Sequence, residues 1–294
     1  MTRPGRLSVG VVGAGRVGAV LGAALERAGH DVIAASGISE ASRTRIEALL
    51  PHAQHLEPEA VVRAADLILL TVPDDSIHAV AAGLASLGAW RSGQIVVHAS
   101  GRYGTEALAD AAAQGALPLA IHPAMTFSGT SIDLDRLVDA TFAVSAPAAV
   151  LPIAQALAVE MGGEPIVLEN SDRPAYHAAL VHGANHVVTA VTQAAASLSR
   201  IGVEEPGRLL RPLVHASVDG ALADAPGAVA TLTGPVVRGD AGTIAAHLAA
   251  LQSQPETLHA YRAMARATAD LALSGGRIGP AAYADIIAVL GVDP

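Results

Sequence analysis

The stretch Val9-Gly10-Val11-Val12-Gly13-Ala14-Gly15-Arg16-Val17-Gly18 decides how the chain reads. An apolar run passes into a glycine-rich turn and then into the amphipathic run Val17–Ala28, the order of strand, turn and helix. Gly13, Gly15 and Gly18 keep the G-x-G-x-x-G spacing, and each position has a mechanical reason for glycine. The first permits a tight turn, the second lets a pyrophosphate approach the backbone, and the third lets the helix pack closely. The helix N-terminus then presents unpaired N–H groups and the positive end of its dipole to phosphate. Gly13, Ala14, Gly15, Arg16, Val17 and Gly18 are therefore the candidate pyrophosphate contacts of a dinucleotide.

Working outward, Asp31–Ser36 reads as the second strand. Where NAD binds to such a unit, an acidic residue about 20 residues past the glycines takes the ribose hydroxyls. Here that place holds Ser36 and Gly37, followed by Ser39, Arg43 and Arg45 on a predicted helix over Ser42–Leu50. A missing acid beside hydroxyls and guanidinium groups favours a 2′-phosphate, hence NADP(H) over NAD(H). Ser36, Ser39 and Arg43 are the residues assigned to it; Glu40 would serve NAD if the strand ran further.

The pattern then repeats. Leu67–Val72 is an apolar run suited to a strand buried on both faces, and Pro73-Asp74-Asp75-Ser76 ends it, with Asp75 or Ser76 placed to cap the helix Ile77–Leu87. Ile95–His98 and Leu117–Ile121 are further strands around the helix Thr105–Gln114, and Thr141–Ser145 and Pro165–Leu168 flank the helix Pro147–Met161. Alternating strands and helices give an α/β fold with a doubly wound parallel sheet, whose ligands lie at the carboxyl ends of the strands. Val72 and Pro73, His98–Gly101 and His122–Thr126 fall there, and the first two join the cofactor residues. After Asn170 the pattern becomes helical, with Arg173–Arg200 as one long helix and further helices over Pro206–Ala223, Gly242–Ser253, Pro255–Leu273 and Pro280–Leu290. The predicted domains are a dinucleotide-binding unit over residues 1–170 and an all-helical substrate and dimerisation unit over 171–294.

Composition narrows the chemistry. The chain has 294 residues, 51% of them hydrophobic and 15% charged, enough apolar surface for a sizeable core. A net charge of −9 argues against a nucleic-acid partner. There is no cysteine, which excludes disulfides and thiolate chemistry and fits a cytoplasmic protein. All 18 basic residues are arginines, which excludes a lysine acid, base or Schiff base. The N-terminus shows no signal-peptide apolar region, and the uncharged stretches Ala140–Val159 and Pro174–Ser199 carry prolines or polar side chains costly in lipid, so no membrane partner is expected.

Histidines remain as proton carriers. His122 closes a strand in the ligand crevice and has the right intrinsic pKa for acid–base work near neutral pH. On the long helix His177 and Asn185 are eight apart and share a face, an arrangement that could protonate and hold a substrate oxygen. His182 and His186 have a metal-compatible spacing, but no third ligand is near, so no metal is assigned. The turn-rich loop Leu232–Asp240 offers Thr233 and Arg238 as substrate contacts, Arg238 as a carboxylate clamp, while Asp240 suits a helix cap. Ser100 in His98-Ala99-Ser100-Gly101 is a further substrate contact; without a G-x-S-x-G elbow it is not read as a nucleophile.

Taken together, Val11–Gly18, Thr71–Asp74, His98–Gly101, His122–Phe127, Tyr176–Ala179 with Asn185-His186, and Leu232–Asp240 followed by His247-Leu248 resemble the 6-phosphogluconate dehydrogenase-like superfamily. Within it the chain is similar to Rossmann-like proteins whose C-terminal helical domain is a domain of unknown function. The resemblance implies an NADP-dependent oxidoreductase related to ketopantoate reductase and pyrroline-5-carboxylate reductase. Several relatives use a lysine on the long helix; with none here, a histidine would have to replace it. The expected activity is hydride transfer from NADPH to a small carboxylated keto or imine compound, with a ketopantoate-like 2-keto acid as the single best substrate. A pyrroline-carboxylate-type imine reductase and a non-catalytic NADP-binding sensor or scaffold are the rival readings. A homodimer through the C-terminal helices is expected because the long helix has no solvated face.

Overall fold

The computed structural model describes residues 5–223 and 228–291, with side chains left aside at positions 228 and 230. It divides into two compact units, one running to Val181 and the other beginning at His182.

The first unit carries the sheet. Its elements run β1 (Ser8–Val12), α1 (Arg16–Arg27), β2 (Asp31–Ser36), α2 (Glu40–Leu49), β3 (Gln54–His55), α3 (Pro58–Ala64), β4 (Leu67–Leu70), α4 (Ile77–Ser86), β5 (Ile95–His98) and α5 (Ala109–Ala113). They continue with β6 (Leu117–Pro123), α6 (Ile132–Arg136), β7 (Thr141–Ser145), α7 (Leu151–Glu160), β8 (Glu164–Val167) and α8 (Arg173–Leu180). The eight strands are ordered β3-β2-β1-β4-β5-β6-β7-β8. β1, β4 and β5 are apolar and buried along nearly their whole length, as strands covered by helices on both faces must be. One apolar cluster under α1 and α7 and a second under α3 and α4 form the two sides of this sandwich.

Several expectations are corrected. The sheet is not wholly parallel: β7 runs antiparallel to β6, pairing Ala120 with Ser145 and His122 with Ala143, and β8 then pairs parallel with β7. The segment between β6 and β7 contains only the five-residue α6 and so supplies no full crossover helix. β3 and α3 were not anticipated, although Pro58 at the start of α3 and the buried pair Val61 and Val62 are ordinary helix signals. Ser76 does stand at the N-cap of α4, but its side chain makes no capping bond.

The long helix runs over Arg173–Arg200 as expected but is not α-helical throughout. α8 ends at Leu180, the turn Val181–Asn185 is π-helical, and α9 (His186–Arg200) follows. A π turn advances more slowly than an α turn, so the spacing of His177 and Asn185 does not follow one α-helical face. α8 also belongs to the sheet-bearing unit, held there by Arg173.

The second unit is helical: α9, α10 (Pro206–Ala223), α11 (Ala228–Thr231), α12 (Ala241–Ala250), α13 (Pro255–Ser274) and α14 (Pro280–Leu290). Its core is the cluster of Ile244, Leu248, Leu258, Ala269, Ile286 and Leu290 with their neighbours on α12, α13 and α14. Asp240 caps α12 as anticipated, accepting the Thr243 N–H at 3.0 Å and the Thr243 hydroxyl at 2.6 Å. α9 and α10 pack on one another, yet neither contains a buried residue. Among the described residues no helix is long and apolar enough to cross a membrane.

Candidate active site

The glycine turn has the form that its sequence demands. Gly13 adopts a φ of 87°, in the left-handed region where a side chain is strained. A Cβ on Gly18 would stand 2.1 Å from the Thr71 hydroxyl and 2.7 Å from the Gly13 carbonyl, so α1 meets the end of β4 only because that atom is missing. Above Gly15 there is room: the nearest atom to an added Cβ is the Gly13 carbonyl at 3.9 Å. Gly15 occupies the N-cap of α1 without any capping side chain, and the first turn holds no acid. An open cradle at an uncapped helix N-terminus fits a pyrophosphate.

Next to the turn is a cavity of about 430 Å³ bordered by Gly13, Ser36, Arg43, His55, Glu57 and Val72, among others. Four residues assigned from sequence to the cofactor thus come together: Gly13, Ser36, Arg43 and Val72. Ser36 also builds the turn, its hydroxyl accepting the Gly13 N–H at 3.2 Å and its carbonyl the Ala14 N–H at 2.8 Å. Arg43 donates to the Ile38 carbonyl at 2.8 Å, which fixes its guanidinium at the rim. Ser39 caps α2 through the Ser42 N–H. Arg16 is exposed and lies against Gly129, outside this cavity's lining. Pro73 is exposed. Glu57 was missed: the acid lining the cavity comes from the start of α3, past the two-residue β3, and not from the end of β2.

The ends of β4, β5 and β6 carry a second constellation. His98 is fully buried; its Nε2–H donates to the Gly104 carbonyl at 2.8 Å, and Nδ1 accepts the Ser100 N–H at 3.2 Å. Burial drives its pKa down to about 4, so it is a neutral structural group with a fixed tautomer. The Ser100 hydroxyl donates to Asp74 at 2.7 Å and accepts the N–H groups of Arg102 and Tyr103. Ser100 is buried and its hydroxyl is committed to the loop; any substrate contact would have to break one of these bonds.

His122 stands at the centre. Its Nδ1 is 2.9 Å from the Tyr176 hydroxyl, and its ring lies edge-on to those of Tyr176 and His177, with centroids 5.6 and 6.1 Å away. Gly101 makes this convergence possible, since a Cβ there would lie 2.7 Å from His177 Cδ2 and 2.9 Å from His122 Nε2. Burial, and after it the charge of Arg173, pushes the His122 pKa down to about 4. Burial raises the Tyr176 phenol, with Arg173 pulling the other way. At neutral pH the cluster is therefore a neutral imidazole bonded to a neutral phenol. His122 and His177, separate candidates in the sequence, are brought together by the fold, and the phenol between helix and strand is the added member. Tyr176 adjoins His177 in the sequence, but only the fold reveals that it reaches Nδ1.

Asn185, Thr233 and Arg238 belong to the second unit, where all three are exposed. His182 and His186 bond to each other, Nδ1 to Nδ1 at 2.9 Å. Ser197 on α9 donates to Gln254, which precedes α13, at 2.7 Å.

Comparison with known proteins divides the chain earlier, before β7. A Rossmann-like domain matches residues 1–123, and the domain of unknown function DUF2520 matches residues 140–268. No curated protein sequence matches. A Bacteroides fragilis protein provisionally described as an NADP oxidoreductase superposes with a TM-score of 0.74 at 19% identity, covering 90% of this chain and 98% of that one. An imine reductase from Pseudomonas sp. gives 0.62 at 21% identity, covering 89% and 93%. The 1-pyrroline-5-carboxylate reductase of Streptococcus pyogenes gives 0.60 at 16% identity, covering 92% and 99%. At such identities the likeness is one of fold. The resemblance drawn from the sequence motifs holds across both halves: this chain joins a Rossmann-like domain to a DUF2520 domain.

Proposed function

We propose that this protein is an NAD(P)-dependent reductase of a small carboxylated substrate containing a C=N or C=O bond. The observation that carries the reading is the neutral His122–Tyr176 pair, with His177 beside it, at the carboxyl ends of the strands in the unit that also holds the glycine cradle. Doubly wound sheets bind ligands at that edge. The imine and pyrroline-carboxylate reductases of the same fold support the reaction class.

A bound nicotinamide dinucleotide would supply the hydride. Gly13, Gly15 and Gly18 would hold its pyrophosphate, Ser36 and Val72 would border its adenosine end, and Arg43 would favour the 2′-phosphate of NADP(H). Glu57 opposes a second negative charge in the same cavity, so cofactor choice depends on the balance of these two side chains. On the substrate side the chain's residues move a proton. The phenol of Tyr176 and the imidazoles of His122 and His177, which the missing side chain of Gly101 lets come together, are the groups proposed to face the substrate heteroatom. Arg238 and Thr233 are proposed as carboxylate contacts and Asn185 as the group that orients the heteroatom.

An imine is favoured over a 2-keto acid such as ketopantoate by one specific feature. The chain has no lysine, and His122 is neutral, so no strong cationic acid faces the site. An imine nitrogen is far more basic than a ketone oxygen, so a neutral donor is enough to give it the one proton that hydride addition requires. The test is a panel of cyclic imines and 2-keto acids with NADPH and NADH, followed by loss of nicotinamide absorbance. Turnover of cyclic imine carboxylates supports the proposal; cofactor binding without turnover of any member would favour a sensor or scaffold role.

The exposed apolar residues of α9 and α10, among them Val188 (66% exposed), Leu213 (60%) and Leu222 (78%), support assembly as a homodimer through these helices.

A further inference from the structure

Arg173 is the largest fully buried side chain of the protein, and it has no carboxylate bonded to it among the described residues. It opens α8, and its guanidinium reaches into the sheet at the one antiparallel step. Nε donates to the Ser145 hydroxyl at 2.7 Å, Nη1 to the Ser100 carbonyl at 2.9 Å, and Nη2 to the carbonyls of Ala120 and Ala143 at 2.8 and 3.0 Å. Ser145 passes its own proton to the Leu168 carbonyl at 2.6 Å. One side chain thus ties the β5 loop, β6 and β7 to the helix that carries Tyr176 and His177.

A cation buried among neutral acceptors is expensive: its desolvation outweighs the favourable fields of Tyr176 and Glu106. Burial lowers the Arg173 pKa to about 10, which leaves it charged at neutral pH. The groups acting on His122 are Arg173, Tyr176 and His177 from α8, His98 from β5, and Asp74 after β4. Only Asp74 favours an imidazolium; Arg173, His177 and His98 oppose it. The same guanidinium acts in the same sense on Tyr176, where it favours the phenolate against the larger effect of burial. A fixed positive charge beside two bonded rings therefore discriminates between them: it disfavours a proton gained by the imidazole and favours a proton lost by the phenol.

We propose that Arg173 is the positioning residue of this pair, fixing α8 to the strand ends and making Tyr176, with its hydrogen bond to a neutral His122, the group that yields the proton. The inference rests on the reductase reading above. As the substrate carbon takes the hydride, its π pair moves onto the heteroatom. That atom takes the proton from the Tyr176 Oη, the dinucleotide is oxidised, and the phenolate left near Arg173 recovers a proton from solvent.

The test is an NMR titration of the histidine rings in the whole protein, with His122 assigned by its loss in His122→Gln. In the unaltered protein the His122 midpoint should lie far below the ordinary imidazole value. Arg173→Met should raise it by half a pH unit or more, and Arg173→Lys should leave it close to the original. A midpoint near the ordinary value in the unaltered protein, or one unmoved by Arg173→Met, overturns the proposal. Should Arg173→Met fail to fold, Arg173→Gln, which keeps a donor to the carbonyls without the charge, should raise the midpoint in the same way, and an unmoved midpoint there overturns the proposal. Turnover retained by Tyr176→Phe but lost by His122→Gln would also overturn it, while leaving the reductase reading intact. Failure of every substrate would count against that reading alone, because the titration needs no substrate.

Discussion

Lowering the pH should destabilise the sheet-bearing unit well before its carboxylates titrate, and the size of the effect follows from two histidines. His98 is fully buried, and its pKa falls from 6.5 to about 4; His122 is partly buried and falls to about the same value. Each folded-state pKa lies below that of the unfolded chain, so the unfolded chain binds more protons across this interval. Stability is thus complete above the unfolded value and drains away as pH falls toward the folded one. At about 1.4 kcal/mol per pKa unit, His98 withholds about 3 kcal/mol in full, and about 2 kcal/mol of that is lost between about pH 7 and about pH 5. His122 adds a smaller amount because solvent reaches its ring. The protein supplies a convenient probe, since its single tryptophan, Trp90, is buried in the first unit with its indole N–H bonded to the Ala81 carbonyl at 3.1 Å. Urea unfolding followed by Trp90 fluorescence should show a progressive loss of stability across this range. A transition unchanged from neutral pH to about pH 5 would mean that both imidazoles protonate freely in the folded state, and the neutral His122–Tyr176 pair would be wrong.

Other consequences can be checked one at a time. Tyr176→Phe should lower turnover on the true substrate by ~10²–10⁴ with little change in cofactor affinity, as expected for loss of a general acid, in steady-state assays beside dinucleotide titrations. Arg43→Ala should weaken NADPH by roughly tenfold while largely sparing NADH, since it removes the charge-assisted bond proposed to the 2′-phosphate, and Glu57→Gln should shift preference the other way. Light scattering at micromolar concentration should report a dimer, and replacing Leu213 and Leu222 together with lysine should yield monomers; a monomeric unaltered protein would refute that assembly.

How much of this was legible in the sequence depends on the range over which each feature is set. The β1–turn–α1 unit is largely local: Gly13 needs its positive φ and Gly18 lacks a Cβ that would meet the Gly13 carbonyl, though Thr71, far along the chain, demands the same of Gly18. The direction of β7 is not local. An antiparallel strand buried on both faces has the same apolar run as a parallel one, so Thr141–Ser145 reveals a strand but not its sense. The π turn at Val181–Asn185 leaves apolar periodicity nearly intact, which is why one long helix was expected. Histidines at a strand end and on a helix were recognisable as candidates by type. Their convergence was not, because it depends on Gly101, distant in sequence from Tyr176 and His177, and on a buried arginine that reads in sequence as an ordinary surface charge at a helix start. Glu57 escaped for a similar reason: the fold delivers it to the cofactor cavity from the element after the one where an acid is usually sought.

The central claim is that a nicotinamide dinucleotide sits in the glycine cradle. Titrating NADPH into the protein and following its fluorescence tests it most directly, with Gly18→Val as the paired variant, because that side chain would collide with the Thr71 hydroxyl and the Gly13 carbonyl. Saturable binding to the unaltered protein that is abolished in a folded Gly18→Val is the predicted result. No binding of either NADPH or NADH, or binding undisturbed by Gly18→Val, would contradict it.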